Sequence, residues 1–324
     1  HPQLSIHRGH LQMRLWDEAV QRLGPAQVRT GERVVAARET ANGAVAEILH
    51  ADGTRSERAC DILVGADGIH SALRQQFYPD EGAPRWNGMM MWRGTTLARP
   101  FLDGRTMVQA GHRRAKFVVY PIEPVRPDGL QRINWICDRR LREDGFGGGL
   151  TAPSREDWSK PGSLDDLLPT FGSWRFAWLD VPGLIRAAEQ ILEWPMVDRD
   201  PLPRWRHGHT TLLGDAAHPM YPIGSNGATQ AILDAAALAQ ALDGHASITA
   251  ALNAYEAARL PMTRDIVAMN RREGLDAILD MVEEAAPEGF ARIEDVTDPT
   301  VLAEWVQAYK KAAGHQVGRP QAAH

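Results

Sequence analysis

Two aspartates at the ends of short apolar runs are the residues best placed to do chemistry: Asp67 in LVGADG and Asp215 in LLGDAAHP. A carboxylate at such a point accepts hydrogen bonds from sugar or polyol hydroxyls. After Asp215 comes a loop, Pro222-Ile223-Gly224-Ser225-Asn226-Gly227, that leads into an alanine-rich segment. Glycines let the backbone come close to a ligand. The start of the following helix offers unpaired N–H groups and a partial positive charge. Such a place suits an anion, or a ring that becomes anionic during a reaction. Few side chains here can move a proton, so the stretch reads as the holder of a large cofactor that brings its own chemistry. Taken only as architecture, it is a strand, a loop and a core helix, with Asp215 as a cap.

Several elements must position these residues. Leu11, Leu15, Ala19 and Leu23 recur every four residues and predict a helix over 9–23, stopped by Gly24-Pro25. Residues 28–64 read as strands, with hairpin turns at Asn42-Gly43 and Asp52-Gly53. The continuous apolar runs that end at Asp67 and Asp215 read as strands buried on both faces, typical of a parallel sheet. A short helix follows the first, with Ser71 near its start. MMMWRGTTL, KFVVYPI and INWICD predict more strands over 88–138, and residues 145–161 a loop. Helical pieces are expected over 164–188, a strand over 210–213, a helix over 228–242 and mostly helix from 250 on, with the last ten residues frayed. The two aspartates lie about 150 positions apart with the β-rich part between them. In open α/β sheets ligands bind outside the carboxyl ends of the strands, so one site is expected to be touched twice.

The whole composition sets bounds. The 324 residues carry a net charge of −5 with both signs spread along the chain, which argues against nucleic acid as a partner. No apolar run approaches the ~18 residues of a membrane span. The two cysteines, Cys60 and Cys137, form no CxxC pattern, and a cytoplasmic location fits. Ten tryptophans and ten methionines serve core packing or a pocket for a flat aromatic ligand. His7 and His10 lack a third ligand, so no metal site is expected.

The motifs taken together carry a resemblance. LVGADGIHSALRQQF resembles the "DG" motif, and LLGDAAHPMYPIGSNGATQAILDA the "GD" motif, of the class A flavoprotein aromatic hydroxylases, the para-hydroxybenzoate hydroxylase-like family. SIHRGHLQMRL resembles the family's segment at the cofactor's pyrophosphate and ribityl chain, and WPMVDRDPLPRW is family-like as well. The matches run in order over roughly residues 5–260. Within the family the likeness is to phenazine-modifying members, with salicylate hydroxylase-like enzymes next.

The resemblance implies an α/β fold: an FAD-binding Rossmann-like parallel sheet, an inserted β-rich substrate domain and C-terminal helices. The expected divisions are 1–85 with 195–260 for a discontinuous, incomplete FAD-binding domain, 86–194 for the substrate domain, and 261–324 for a helical segment. It implies that Asp215 meets the ribityl chain of FAD. Pro222, Gly224, Ser225, Asn226 and Gly227 would lie at the pyrimidine side of the flavin ring, and Arg8 and Gln12 near the pyrophosphate and ribityl region. Asp67 and Gly68 would adjoin FAD, and Arg74 would meet a phosphate there or form a surface salt bridge. The substrate would lie against the β-rich part, with Met91, Trp92, Arg93, Tyr120, Trp135 and Tyr221 as candidate lining; Arg93 could pair a carboxylate bidentately. His218 is expected to pack or hydrogen-bond locally rather than act as a base. The implied reaction is that of a monooxygenase. NADH or NADPH supplies electrons, O2 supplies the oxygen, and an aromatic ring of phenazine or salicylate type is hydroxylated, by a monomer or homodimer.

One departure stands out. The family opens with strand, G-x-G-x-x-G and helix, and the sequence contains no such motif. A βαβ unit able to carry it needs about 30 residues or more. Without that unit the two apolar strands lose a neighbour, and the chain alone is expected to bind FAD weakly or fold poorly. Halogenases and prenyl reductases share the fold, but the W-x-W-x-I-P segment of halogenases is missing. A non-enzymatic remnant that binds an aromatic ligand is the other reading.

Overall fold

A computed structural model describes residues 4–145, 150–153, 157, 159–272 and 276–312. The expected first helix forms as α1, Arg8–Leu23, and Gly24 ends it at φ 85°. None of its residues is buried. A three-stranded antiparallel meander follows: β1, Glu32–Thr40; β2, Gly43–His50; β3, Arg55–Cys60. Both hairpin turns form, but Gly43 serves differently from the expected turn glycine. It pairs with Thr40 as the first residue of β2, and a Cβ there would lie 2.3 Å from the Cys60 carbonyl oxygen. The glycine is needed for close passage of β3, while Gly53, at φ 84°, is a true left-handed turn residue.

Next come β4, Leu63–Gly65, and α2, Ala72–Phe77, whose N-cap is Ser71: its hydroxyl accepts the Arg74 N–H. Four long strands then form: β5, Arg85–Ala98; β6, Val108–His112; β7, Ala115–Pro121; β8, Gln131–Arg140. Part of the 145–161 loop lies outside the described residues. The helical pieces are α3, Leu164–Phe171, and α4, Val181–Arg186, separated by a two-residue-per-strand hairpin, β9 (Arg175–Phe176) and β10 (Leu179–Asp180). Then come β11, Ile191–Asp198; β12, Thr210–Leu212; and four helices, α5 (Gly227–Gly244), α6 (Ile248–Arg271), α7 (Asp276–Ala285) and α8 (Pro299–Ala312). The expected fraying of the terminal ten residues falls outside the described residues.

β12 and β4 pair in parallel, Thr210 with Leu63 through Leu212 with Gly65. The parallel reading of the two apolar runs therefore holds. Burial on both faces holds for β12 but not for β4, whose Val64 is 37% exposed. The five long strands form one antiparallel sheet in the order β11-β5-β8-β7-β6. Its register sorts the residues. Trp92 faces with Cys137, Gly94 with Trp135 and Phe117 with Cys137 on one side; Met91 with Asp138, Arg93 with Ile136 and Lys116 with Asp138 on the other. The first side packs against α3 and α4 through Trp135, Phe117, Phe171 and Ile185, all essentially inaccessible. Gly94 is obligatory there, because a Cβ would fall 2.3 Å from the Trp135 ring. A second core joins α2, β12, α5 and α6 through Leu73, Trp205, Leu212, Leu238 and Tyr255.

Candidate active site

The turn after β12 is held from behind. Gly214 takes φ 61°, and its N–H donates to Asp234 Oδ2 at 3.0 Å. His218 Nε2 lies 2.5 Å from the same oxygen, while Arg259 Nε donates to Asp234 Oδ1 at 2.7 Å. Asp234 has no exposed surface. Burial works to raise its carboxyl pKa, but the bonds from His218, Arg259 and the Gly214 N–H outweigh it and hold the group below the usual aspartate value. His218 is thus spent on Asp234, not Asp215, as the local reading expected.

With its support fixed, Asp215 is left exposed at the strand end. Its Oδ1 would lie 3.9 Å from a Cβ placed on Gly227, so the carboxylate faces the start of α5. Gly224 (φ 72°) and Ser225 (φ 58°) turn the loop in left-handed conformations. Pro222 and Ser225 are exposed, Ile223 and Asn226 buried. The side chain of the N-cap residue Asn226 makes no capping bond to α5, and no acid stands in its first turn. These features suit the hydroxylated chain and the electron-rich ring edge of a flavin: acceptor, close-approach backbone and uncapped helix end stand together. Gly68 takes φ 81°. Asp67 is exposed, and its Oδ2 accepts the Ala72 N–H at 2.9 Å. Arg8 and Gln12 stand exposed one turn apart on α1, and the charge of Arg8 is felt at Arg93.

Arg74 turns neither to a phosphate nor to the surface. It is 1% exposed and donates to Ala216 O (3.1 Å), Ala217 O (2.8 Å) and Asp200 O (2.8 Å), with Glu81 as its ion partner. The His7 and His10 rings lie 4.7 Å apart at a tilt of 45°, and among the described residues no three metal-binding groups gather.

The loop 222–225 faces the second side of the large sheet across a slot lined by Met91, Gln109, Val118, Ile136 and Met196. The slot is narrow, about 30 Å³, room for about two waters. Its methionines are unbranched and can repack around a flat ring. Of the candidate lining residues, Met91 is in the slot. Arg93 lies on the same face further along; its Nε donates to Asn134 Oδ1 at 2.8 Å, and burial pushes its pKa down. Tyr120 pairs in register with Asn134 and is close enough to influence Arg93. Trp92 and Trp135 are on the opposite face, in the core: Trp92 donates to Glu193 at 2.9 Å and Trp135 to Thr96 at 3.0 Å. One residue of phase separates Met91 from Trp92, and that phase turns Trp92 away. Tyr221 is also not in the slot. It is 1% exposed and lines a neighbouring cavity with Asn270 and Arg271, beneath the loop.

Three residues of this region escaped the reading of the sequence. Lys116, 5% exposed, contacts Asp138 Oδ2 at 3.1 Å and also Asp276 at the start of α7. Burial opposes its charge, yet the two carboxylates raise its pKa above the ordinary lysine value. Lysine and aspartate inside otherwise apolar strands were the available signal; their meeting with α7 had none.

A five-stranded antiparallel sheet beside a parallel strand pair whose turns carry Asp67 and Asp215 is a fold shared with solved structures. Klebsiella pneumoniae HpxO complexed with FAD and uric acid superposes with TM-score 0.61 at 24% identity, over 93% of this chain and 67% of that one. A salicylate hydroxylase substrate complex gives 0.62 at 22%, over 95% and 75%. The sequence matches the FAD binding domain family over residues 10–148 and 182–270, and the chain belongs to that family. The phenazine 1,6-dicarboxylic acid hydroxylase PhzS of Lysobacter antibioticus is 45% identical over 278 residues, 84% of this chain and 66% of that protein. Salicylate hydroxylase of Pseudomonas putida is 29% identical over 80% of this chain and 60% of its own length. The chain thus spans just under two thirds of the length of several of the curated relatives it matches.

Proposed function

We propose that the chain forms the flavin-ring and substrate portion of an FAD-dependent monooxygenase that hydroxylates an aromatic ring with NAD(P)H and O2. The carrying observation is the slot itself: the Pro222–Ser225 loop, which joins Asp215 to the start of α5, on one wall, and a methionine-lined sheet face on the other. Asp215 would bind ribityl hydroxyls, and Gly224–Gly227 would place N–H groups at the ring edge where negative charge gathers. Arg8 and Gln12 would approach from α1, with Asp67 and Gly68 at the neighbouring strand end. When bound, FAD supplies the redox chemistry, taking electrons from NAD(P)H and activating O2. The chain's own residues would hold the flavin's edge at the Pro222 loop, seat the substrate ring against the Met91 face, and exclude water. Arg93 would pair a substrate carboxylate. The names of the relatives favour a phenazine- or salicylate-like substrate. Residues 86–194 supply the substrate wall, and the residues before and after them the flavin wall.

The test is the visible spectrum of the chain after addition of FAD and desalting, followed by NAD(P)H oxidation with phenazines and salicylates and mass analysis of products. Weakly held flavin, lost in part on desalting, and a product heavier by one oxygen in excess FAD are expected. Flavin that binds without ring-dependent oxidation would count against hydroxylation; no retained flavin would count against the cofactor assignment for this chain.

A further inference from the structure

Lys116 and Asp138 sit on the slot face of the sheet, directly opposite each other in β7 and β8. Lys116 is shared between Asp138 and Asp276. Asp138 is 3% exposed and spends only Oδ2 on the lysine; Oδ1 is buried with no hydrogen-bond partner among the described residues. A carboxylate oxygen removed from water and left unpaired is costly, and such atoms call for an explanation. Here the unpaired acceptor belongs to a residue that lines the slot, beside apolar Met91, Val118 and Ile136. An apolar cleft with one fixed polar atom is the usual form of a small-molecule site, where the polar atom sets orientation.

We propose that Asp138 is a substrate-recognition residue, its free oxygen accepting a hydrogen bond from a hydroxyl or N–H group on the aromatic ring that enters the slot. Lys116 and Asp276 are positioning residues: they fix the carboxylate so that one oxygen stays turned to the ligand. Burial, with the charge of Asp276, pushes the Asp138 pKa above the usual aspartate value, and the bond and charge of Lys116 work against that rise. The inference rests on the reading of this slot as the aromatic site, and it adds a preference for donor-bearing rings over rings without a donor.

Calorimetric titration with naphthalene, 2-naphthol and 2-methoxynaphthalene, in excess FAD, tests it. The wild-type chain is expected to favour 2-naphthol about tenfold or more, as for a hydrogen bond to a charged group. Methylation should abolish the preference, and so should Asp138→Asn. A preference that survives Asp138→Asn, or equal binding of the methoxy compound, would overturn the proposal. Should Asp138→Asn not fold, the methoxy comparison on wild type still decides. If no ring binds wild type although FAD does, the aromatic-site reading fails and this inference with it. If rings bind without donor preference, only this inference fails.

Discussion

Two buried charge networks support opposite walls of the same slot, and they are built differently. Behind the flavin wall, Asp234 uses both oxygens: Arg259 on one, His218 and the Gly214 N–H on the other. Behind the sheet wall, Asp138 and Asp276 share one lysine, and each keeps one oxygen without a partner among the described residues. A carboxylate whose acceptor capacity is filled by the protein holds a backbone turn in place. One with spare capacity beside a cleft is held ready for something else. Burial alone therefore does not separate structural charge from functional charge; the remaining hydrogen-bond capacity does.

The comparison breaks most visibly at Asp234. Asp234→Ala leaves Arg259 and His218 buried without their acceptor, and a stability loss of about 3–5 kcal/mol is expected in urea denaturation. The Gly214 turn should loosen too, with weaker FAD binding. The pH dependence has a fixed sign. A carboxyl depressed in the folded state contributes stability above its unfolded value of about 3.9, and that stability is lost as pH falls through the folded value. Acid unfolding of wild type should thus steepen below about pH 4, and the variant should lack that component. A pH-independent difference between the two would remove the argument.

Lys116→Met should come next, at about 3 kcal/mol near neutral pH, because it leaves two buried carboxylates facing each other. Its sign is reversed. Like charges raise the folded pKa of the pair, so the penalty is present above that value and eases as pH falls through it. Denaturation midpoints for wild type and variant should converge as pH falls from neutral into the acid range. Divergence would show that the carboxylates do not interact. The smallest effect belongs to Asp67, an exposed carboxylate on the Ala72 N–H. Asp67→Ala should cost about 0.5–1 kcal/mol, the scale of a lost helix cap; a loss as large as that at Asp234 would mean it carries structure not seen in its contacts.

The flavin wall was legible in the sequence because its requirements are local. A turn after an apolar strand that needs positive φ at Gly214 and Gly224 writes glycine into the chain, and the aspartates sit beside it. The pairing of β4 with β12 was legible from two apolar runs of the same form. The sheet wall was less so. In MMMWRGTTL both faces are apolar, so alternation cannot say whether Met91 or Trp92 faces the ligand; only the register with Asp138 and Cys137 decides. Trp92, Trp135 and Tyr221 are all aromatic and all near the site in sequence, yet shape puts the first two against α3 and α4 and the third under the loop. The Lys116–Asp138–Asp276 group joins β7, β8 and α7, and no short-range pattern announces a meeting across such distances along the chain.

Arg74 has a consequence for how such a chain can change over time. It binds Glu81, just before β5 begins, and the carbonyl of Asp200, just after β11 ends, while also gripping the carbonyls of Ala216 and Ala217. Arg199 fastens the same corner, through Ile69 O and Glu81. The polypeptide therefore leaves for the large sheet and returns from it through a single riveted gate. Whatever lies between the two posts can be lengthened, shortened or exchanged for another sheet while the flavin wall keeps its shape. One nucleotide-holding frame could in this way be fitted with many different substrate cassettes.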